Sequence, residues 1–272
     1  MRMWKQAAVI LLLAGLITGC AGGEPATEEE RYTPTGQNNP SVDKNKYDDS
    51  CFVQVDGFTV YEGEVTSYTG IDVSSYQQEI DWEQVFEAGV SFAILRIGYR
   101  GHTYGALNLD PRFEENLKGA QEAGLDVGVY FFSQATSPEE AEEEARQVLE
   151  WLDGRTLTYP VVFDWETIDG GGVRTDEVSS KTVTECAKAF CSVIERAGYT
   201  PMVYFNRSQG YDIMDLEQLQ EYDFWLASYS EVPNFNYHFE MWQYSCTGSV
   251  PGIEVNVDLN LCLTEYPKQP KA

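Results

Sequence analysis

The stretch Pro160-Val161-Val162-Phe163-Asp164-Trp165-Glu166 decides the reading of this chain. An apolar, β-branched run stops abruptly at two carboxylates separated by one tryptophan. As a buried strand it would place Asp164 and Glu166 on the same side, where the strand emerges, because side chains alternate with a period of two. Two acids held that close cannot titrate independently. One tends to keep its charge while the pKa of the other rises, which suits an acid/base pair working near neutral pH.

Working outward, one junction recurs three times: a helical pattern ending in Ala-Gly, then an apolar strand. The copies are Glu87-Ala88-Gly89, Glu122-Ala123-Gly124 and Arg196-Ala197-Gly198. Glycine after the last helical turn takes the left-handed conformation at little cost. Helix starts are equally legible. Asp110-Pro111 and Ser137-Pro138 each set a capping side chain before an N1 proline, and Ser137 with Glu140 fits a capping box. Phe113, Leu117 and Ala120 share one helix face, as do Ala141, Ala145, Val148 and Leu152. Helices alternating with apolar strands predict an α/β fold with parallel strands. Strands are expected near 69–73, 91–97, 127–132, 160–164, 201–205, 223–228, 239–244 and 254–258. The last three are joined by connections too short for full helices. The expected architecture is a TIM-like barrel with an incomplete helical ring.

Chemistry in such barrels sits at the C-terminal strand ends. Asp72 ends the first strand, Asp164 and Glu166 the fourth, and Asp258 the eighth. The first and eighth strands are neighbours on closure, so Asp72 and Asp258 should meet. Paired carboxylates at one mouth point to glycoside hydrolysis. Tyr130, Phe132, Tyr204, Trp225 and Trp242 lie at the same ends. Core packing accounts for Phe132. The others can supply flat platforms for sugar rings and donors for hydroxyl groups. Arg96, inside an apolar run, needs a partner, expected among the clustered acids.

The N-terminus carries a different signal. A basic start and a short apolar core end in Leu16-Ile17-Thr18-Gly19-Cys20, which resembles the lipobox of bacterial lipoproteins. Residues 1–19 read as a signal peptide, Cys20 as a lipidation site, 20–50 as a polar tether, 51–67 as a short hairpin-like lead-in, 68–266 as the barrel and 267–272 as a tail. Loss of the leader leaves 16 basic against 44 acidic residues, a charge of about −28. That balance argues against nucleic acid as a partner. Much of the charge, as in the run from Glu139 to Glu150, reads as solvated helix surface. Five cysteines follow Cys20. Cys186 and Cys191 are poorly spaced for a bridge, and Cys246 with Cys262 is a candidate pair. With only two histidines and no CxxC, no metal site is expected.

Gly70-Ile71-Asp72-Val73-Ser74-Ser75-Tyr76-Gln77, Phe92-Ala93-Ile94-Leu95-Arg96, Gly128-Val129-Tyr130-Phe131-Phe132, Phe163-Asp164-Trp165-Glu166, Pro201-Met202-Val203-Tyr204, Phe224-Trp225-Leu226-Ala227, Trp242-Gln243-Tyr244 and Val257-Asp258 follow one another in an order that resembles the glycoside hydrolase family 25 lysozymes. The resemblance covers about residues 68–263. It implies an irregular barrel of eight strands with about five helices. It also implies a cofactor-free N-acetylmuramidase that cuts peptidoglycan between N-acetylmuramic acid and N-acetylglucosamine. Carried over, Glu166 would be the general acid, Asp164 would orient the acetamido group, and Asp72 and Asp258 would support them. Arg96, Tyr130, Tyr204, Trp225, Trp242 and Gln243 would bind substrate. With the lipobox, the expectation is a monomeric, lipid-anchored lysozyme on the extracytoplasmic face of a bacterial membrane, acting on peptidoglycan glycan strands. The alternative is a glycan-binding lipoprotein that keeps the barrel without turnover. A carboxylate-bound metal hydrolase is disfavoured by the shortage of histidine.

Overall fold

A computed structural model describes residues 39–168 and 171–269. The leader, Cys20 and the first part of the tether lie outside the described residues. The barrel strands are β3 (Tyr68–Val73), β4 (Phe92–Arg100), β6 (Asp126–Ser133), β7 (Val161–Trp165), β8 (Pro201–Asn206), β9 (Asp223–Ala227), β10 (Met241–Gly248) and β11 (Val257–Cys262). The sheet closes through β3 and β4. A short β5 (Leu107–Leu109) doubles back on the far end of β4. Helices α1 (Trp82–Glu87), α2 (Phe113–Ala123), α3 (Pro138–Leu152) and α4 (Ser180–Arg196) cover the first strands, and α5 (Leu216–Leu219) is a single turn. Gly89, Gly124 and Gly198 after α1, α2 and α4 take φ of 96°, 97° and 86°, as the Ala-Gly junctions require.

The barrel is mixed. Parallel pairing runs from β3 through β4, β6, β7, β8 and β9 to β10, but β11 is antiparallel to both β10 and β3. Residues 249–256 are too few for a parallel crossover, which needs about a dozen residues or more. The eighth strand therefore starts later than expected and runs the other way. Its N-terminal end, carrying Asp258, reaches the mouth.

Two apolar layers result. Helix faces such as Ala141, Ala145, Val148 and Leu152 pack fully buried on the outside of the barrel. Inside it lie Phe92, Ile94, Val162, Met202, Trp225 and Met241, with Tyr159 and Tyr266. Phe92 stacks on Tyr159 with ring centroids 4.1 Å apart. A Cβ at Gly70 would fall 2.2 Å from the Phe92 ring, so only glycine admits this plug. The plug lies at the N-terminal ends of the parallel strands, opposite the carboxylates.

The side of the barrel without helices is covered by the lead-in. β1 (Phe52–Val55) and β2 (Phe58–Tyr61) form the expected hairpin. Asp56 and Gly57 turn it with φ of 51° and 89°, the signature of a tight mirrored turn. Phe52 meets Trp242 edge-on at 5.2 Å, and Thr59 N–H donates to the Tyr244 hydroxyl at 3.2 Å. Residues 39–50, expected as tether, are part of this cover. Val42 is buried, Asn45 N–H donates to Asn236 O at 3.0 Å, and His238 N–H to Asp43 O at 2.9 Å.

Three local expectations are corrected. No disulfide joins Cys246 to Cys262: Cys262 faces Met241 across β10 and β11, roughly 16 Å along the strand from Cys246. Glu144 is not solvated surface. It is fully buried and paired with Arg100 at 2.6 Å. Glu140 gives its carboxylate to Thr136 N–H and Arg174, so Ser137 caps α3 without the reciprocal half of a capping box.

Candidate active site

Alternation along β7 sends Phe163 and Trp165 outward into the helix layer, while Val162 and Asp164 face the barrel interior. Glu166 follows the strand end and is half-buried at the mouth. The two residues are about 6.6 Å apart along the chain, on one side, as the period predicts. Trp165 anchors the strand end from behind, its indole N–H donating to Ala135 O at 3.1 Å. Beyond the ladder the backbone carbonyls need side-chain partners. Gln209 supplies Trp165 O at 2.9 Å and Gln134 supplies Glu166 O at 2.8 Å, and both glutamines are buried.

Asp72 and Asp258 are direct register partners across β3 and β11. They meet as expected, but through antiparallel pairing. Asp72 Oδ2 accepts from Gln243 Nε2 and Asn260 Nδ2, both at 2.8 Å. Asp258 is also hydrogen-bonded to it, as the proton-bearing partner. Trp225 Nε1 donates to Asn260 Oδ1 at 2.9 Å. The hydroxyls of Tyr204 and Tyr229 donate to Gln243 Oε1 at 3.0 and 2.9 Å. One network therefore runs from the aromatic wall to the Asp72 carboxylate.

Four carboxyls in one poorly hydrated mouth cannot all be ionised. Asp72 has the most donors, and burial raises it only to about 6. Asp258 is pushed up to about 9 by burial and then by the charges of Asp72 and Glu166. Asp164 is held well above the usual carboxylate range by burial, then by Glu166 and Asp72, with Arg96 opposing. Its Oδ1 is buried and has no hydrogen-bond partner. Glu166 is raised to about 7 by burial and then by the charge of Asp72. The expected pairing of one charged and one raised acid at β7 is thus modified. Both are raised, and the anion acting on Glu166 is Asp72 on another strand.

The remaining residues divide. Tyr130, half-buried, and Tyr204 face the mouth, each edge-on to Trp225 with centroids 6.4 and 5.0 Å away. Trp225 is 2% exposed and forms the floor rather than an open platform. Gln243 has its amide engaged by Asp72, Tyr204 and Tyr229, so it acts by holding Asp72. Trp242 is not in the mouth. One residue from Gln243, it faces outward, fully buried, and its indole N–H donates to Ser228 O at 2.8 Å. Phe132, expected in the core, belongs to neither apolar cluster and is half-buried near the mouth beside Asp164 in register. Arg96 finds its partner outside the four acids. Nε and Nη2 bind Asp110 Oδ2 at 2.8 and 2.7 Å, and Nη2 also meets Ser75 Oγ at 3.1 Å. Asp110 was expected as a helix cap. α2 instead begins at Phe113, and the buried Asp110 carboxylate serves Arg96, Ser75 N–H and Arg112 N–H.

Asn260, Tyr229 and the two glutamines are the site residues that the sequence did not single out, and Asp110 stood out only as a helix cap. For two of them a signal existed: Asn260 is two residues from Asp258, and Tyr229 continues the spacing Trp225-Ala227. Among the described residues, no group of His, Cys, Asp and Glu has the arrangement to hold a metal ion.

The profile of glycosyl hydrolases family 25 matches residues 71–253, most of the chain and all four acids but Asp258. The chain belongs to this family. The uncharacterized protein YegX of Escherichia coli is 30% identical over 201 residues, covering 72% of this chain and 70% of YegX. Lysozyme M1 of Streptomyces globisporus is 29% identical over 213 residues, covering 74% of this chain and 70% of that protein. The modular autolysin LytC from Streptococcus pneumoniae shares the fold with a TM-score of 0.64 at 24% identity, over 77% of this chain. The chain spans about half of LytC, 51% of its length. A family 25 barrel thus ends in a mouth where Glu166, Asp164, Asp72 and Asp258 share too few charges for four carboxyls.

Proposed function

We propose that this protein is a lysozyme that hydrolyses the β-1,4 bond between N-acetylmuramic acid and N-acetylglucosamine in peptidoglycan. Lysozyme M1 and the Clostridium acetobutylicum autolytic lysozyme among its relatives support this reading, as does a LytC structure in complex with synthetic peptidoglycan ligand. The observation that carries it is the pair at β7: a half-buried Glu166 raised to about 7, beside a buried Asp164 whose Oδ1 lacks a partner.

Near neutral pH Glu166 keeps a substantial share of protonated form, so it can give its proton to the glycosidic oxygen as the bond breaks. Asp164 Oδ1 accepts the acetamido N–H of the bound sugar and so orients the acetamido carbonyl towards the anomeric carbon, in the substrate-assisted variant of glycoside hydrolysis. Asp72, fixed by Gln243 and Asn260, supplies negative charge against the positive charge that develops on the ring. Tyr130, Tyr204 and the exposed ring of Tyr229 make the sugar-facing wall. A purely glycan-binding role gives no reason to keep an acid with a raised pKa at the mouth.

The protein works as a monomer held on the extracytoplasmic face of a bacterial membrane by a lipid on Cys20, in remodelling of the cell wall. Support for the anchor is the leader and the motif Leu16-Ile17-Thr18-Gly19-Cys20. No helix among the described residues is long and apolar enough to cross a membrane.

Digestion of purified peptidoglycan followed by identification of the new reducing end tests the activity. Muramic acid at that end agrees with the proposal. Glucosamine at that end makes the enzyme a glucosaminidase, and no new end leaves the binding role.

A further inference from the structure

Glu166 stands one residue beyond β7, and strand pairing does not reach it. The last register partners are Trp165 with Ser133 and Asp164 with Tyr204. Its carbonyl is held instead by the Gln134 amide at 2.8 Å. The placing of Glu166 therefore depends on what places Gln134. That residue is fully buried and lies just past the end of β6, outside any helix or strand.

Two consecutive residues between β7 and α4 grip Gln134. Arg174 Nη1 donates to Gln134 O at 3.1 Å, and the Thr175 hydroxyl donates to Gln134 Oε1 at 3.1 Å. With its side-chain oxygen engaged, the Gln134 amide is turned towards Glu166 O and Ser133 O. The chain that leaves Glu166 thus returns to fix the support of Glu166.

Arg174 is itself tied down. Its Nη2 pairs with Glu140 Oε1, and Glu140 Oε2 accepts from the N–H and hydroxyl of Thr136 at 2.8 and 3.0 Å. Its backbone N–H donates to His102 O at 3.1 Å. A Cβ at Gly105 would fall 2.8 Å from Arg174 Cζ, so the guanidinium lies against the turn that joins β4 to β5. Arg100 ties the same turn to α3, donating to Gly105 O at 2.8 Å and pairing with Glu144. Glu140 and Glu144 are one helical turn apart on α3, and each receives one arginine. These two pairs lock the connections after β4, β6 and β7 to one helix.

We propose that Arg174 is a positioning residue for the general acid: acting through Gln134, it holds Glu166 at the mouth in the orientation that proton transfer needs. The role of Glu166 as that acid rests on the muramidase reading above. Asp72, Asp164 and Asp258 face Glu166 from β3, β7 and β11, Tyr204 from β8 and Tyr229 from beyond β9. Burial and then the charge of Asp72 raise the Glu166 carboxyl to about 7. Once the clamp is released the carboxyl moves towards water, both causes weaken, and it loses its proton at lower pH. The Arg174–Glu140 pair is partly exposed and adds little to stability, so this effect is separable from unfolding.

Two measurements on the full-length protein test it, with thermal melting as the control for folding. The first is steady-state hydrolysis of peptidoglycan. Arg174→Gln should lower kcat at least about tenfold with little change in KM, because a misplaced acid is felt only as the bond breaks. The second is a carbon-13 NMR titration of the glutamate carboxyls, with the Glu166 signal assigned by its loss in Glu166→Gln. In Arg174→Gln that signal should titrate at lower pH than in wild type. Arg174→Lys keeps a charge for Glu140 but lacks the planar fork that spans Glu140 and Gln134, so it should fall between the two in both measurements. It carries the test if Arg174→Gln does not melt cooperatively. Arg146→Gln removes an exposed pair with Glu142 on the same helix and should change neither. A folded Arg174→Gln with wild-type kcat, or with a lowered kcat and an unmoved Glu166 titration, overturns the proposal, as do equal changes in Arg146→Gln. If the wild type cuts no glycan but the Glu166 titration still moves with Arg174→Gln, the muramidase reading falls and the clamp stands.

Discussion

Replacing Asp72 by asparagine should move the alkaline limb of the pH–rate profile to lower pH. Glu166 rises from 4.5 to about 7, and two causes raise it: burial, the larger, and the charge of Asp72. The share due to Asp72 is therefore the smaller part of that rise, on the order of one pH unit at most. The sign follows from Glu166 acting as an acid. Without the neighbouring anion its ionised form is less disfavoured, so it loses its proton, and activity falls, at lower pH. Asp258 complicates the single variant. The charge of Asp72 helps to keep Asp258 protonated up to about 9, so its removal lets Asp258 ionise earlier and partly replace the lost charge. Asp72→Asn should show a partial displacement and Asp72→Asn/Asp258→Asn the full one. Asp164→Asn is the contrast. Asp164 is itself held well above the usual carboxylate range and so protonated where Glu166 titrates; its replacement removes no charge, and should lower kcat and leave the limb in place. The assay is the initial rate of peptidoglycan solubilisation from pH 4 to 9, with folding checked by circular dichroism. An unmoved limb in both Asp72 variants, or a displacement produced by Asp164→Asn alone, refutes the electrostatic coupling described here.

Gln134→Leu removes the amide that holds Glu166 O and leaves Ser133 O and the Thr175 hydroxyl without it, so kcat should fall by about tenfold with little change in KM, measured on the same substrate. Deleting residues 39–61 should uncover Trp242, Phe239 and Tyr244, cost at least about 3 kcal/mol and lower the melting temperature by roughly 6–12 °C in a thermal scan. Cys20→Ala should move the protein from the membrane to the soluble fraction, since a diacylglyceryl group contributes about 0.8 kcal/mol per buried CH₂ and no described helix can take its place.

The parts of this site legible in the sequence are those where one strand's own period decides the outcome. Asp164 and Glu166 needed only the apolar run before them, and the three Ala-Gly junctions needed only glycine's conformational freedom. Asp72 with Asp258 needed closure of the barrel, and that expectation of contact held although the last strand's direction did not. The short connection over 249–256 carried the directional information, because it is too brief for a crossover. Trp242 was misplaced for want of parity. Gln243 faces the acids, so its neighbour must face out. Asp110 was obscured because Asp-Pro is a strong helix-start signal, and nothing local says that Arg96, fourteen residues earlier, will claim the carboxylate. Residues 39–50 are polar enough to resemble a tether. Their packing depends on a helix-free barrel flank that exists only in three dimensions.

In the proposed reaction Glu166 is the proton donor of a glycosidase. Turnover of peptidoglycan by Glu166→Gln, measured beside wild type at the activity optimum with glycan binding and folding verified, tests it most directly. The amide is nearly isosteric and cannot give up a proton, so turnover should fall at least about 100-fold while binding is retained. A folded variant that hydrolyses the glycan at a rate near wild type contradicts the account.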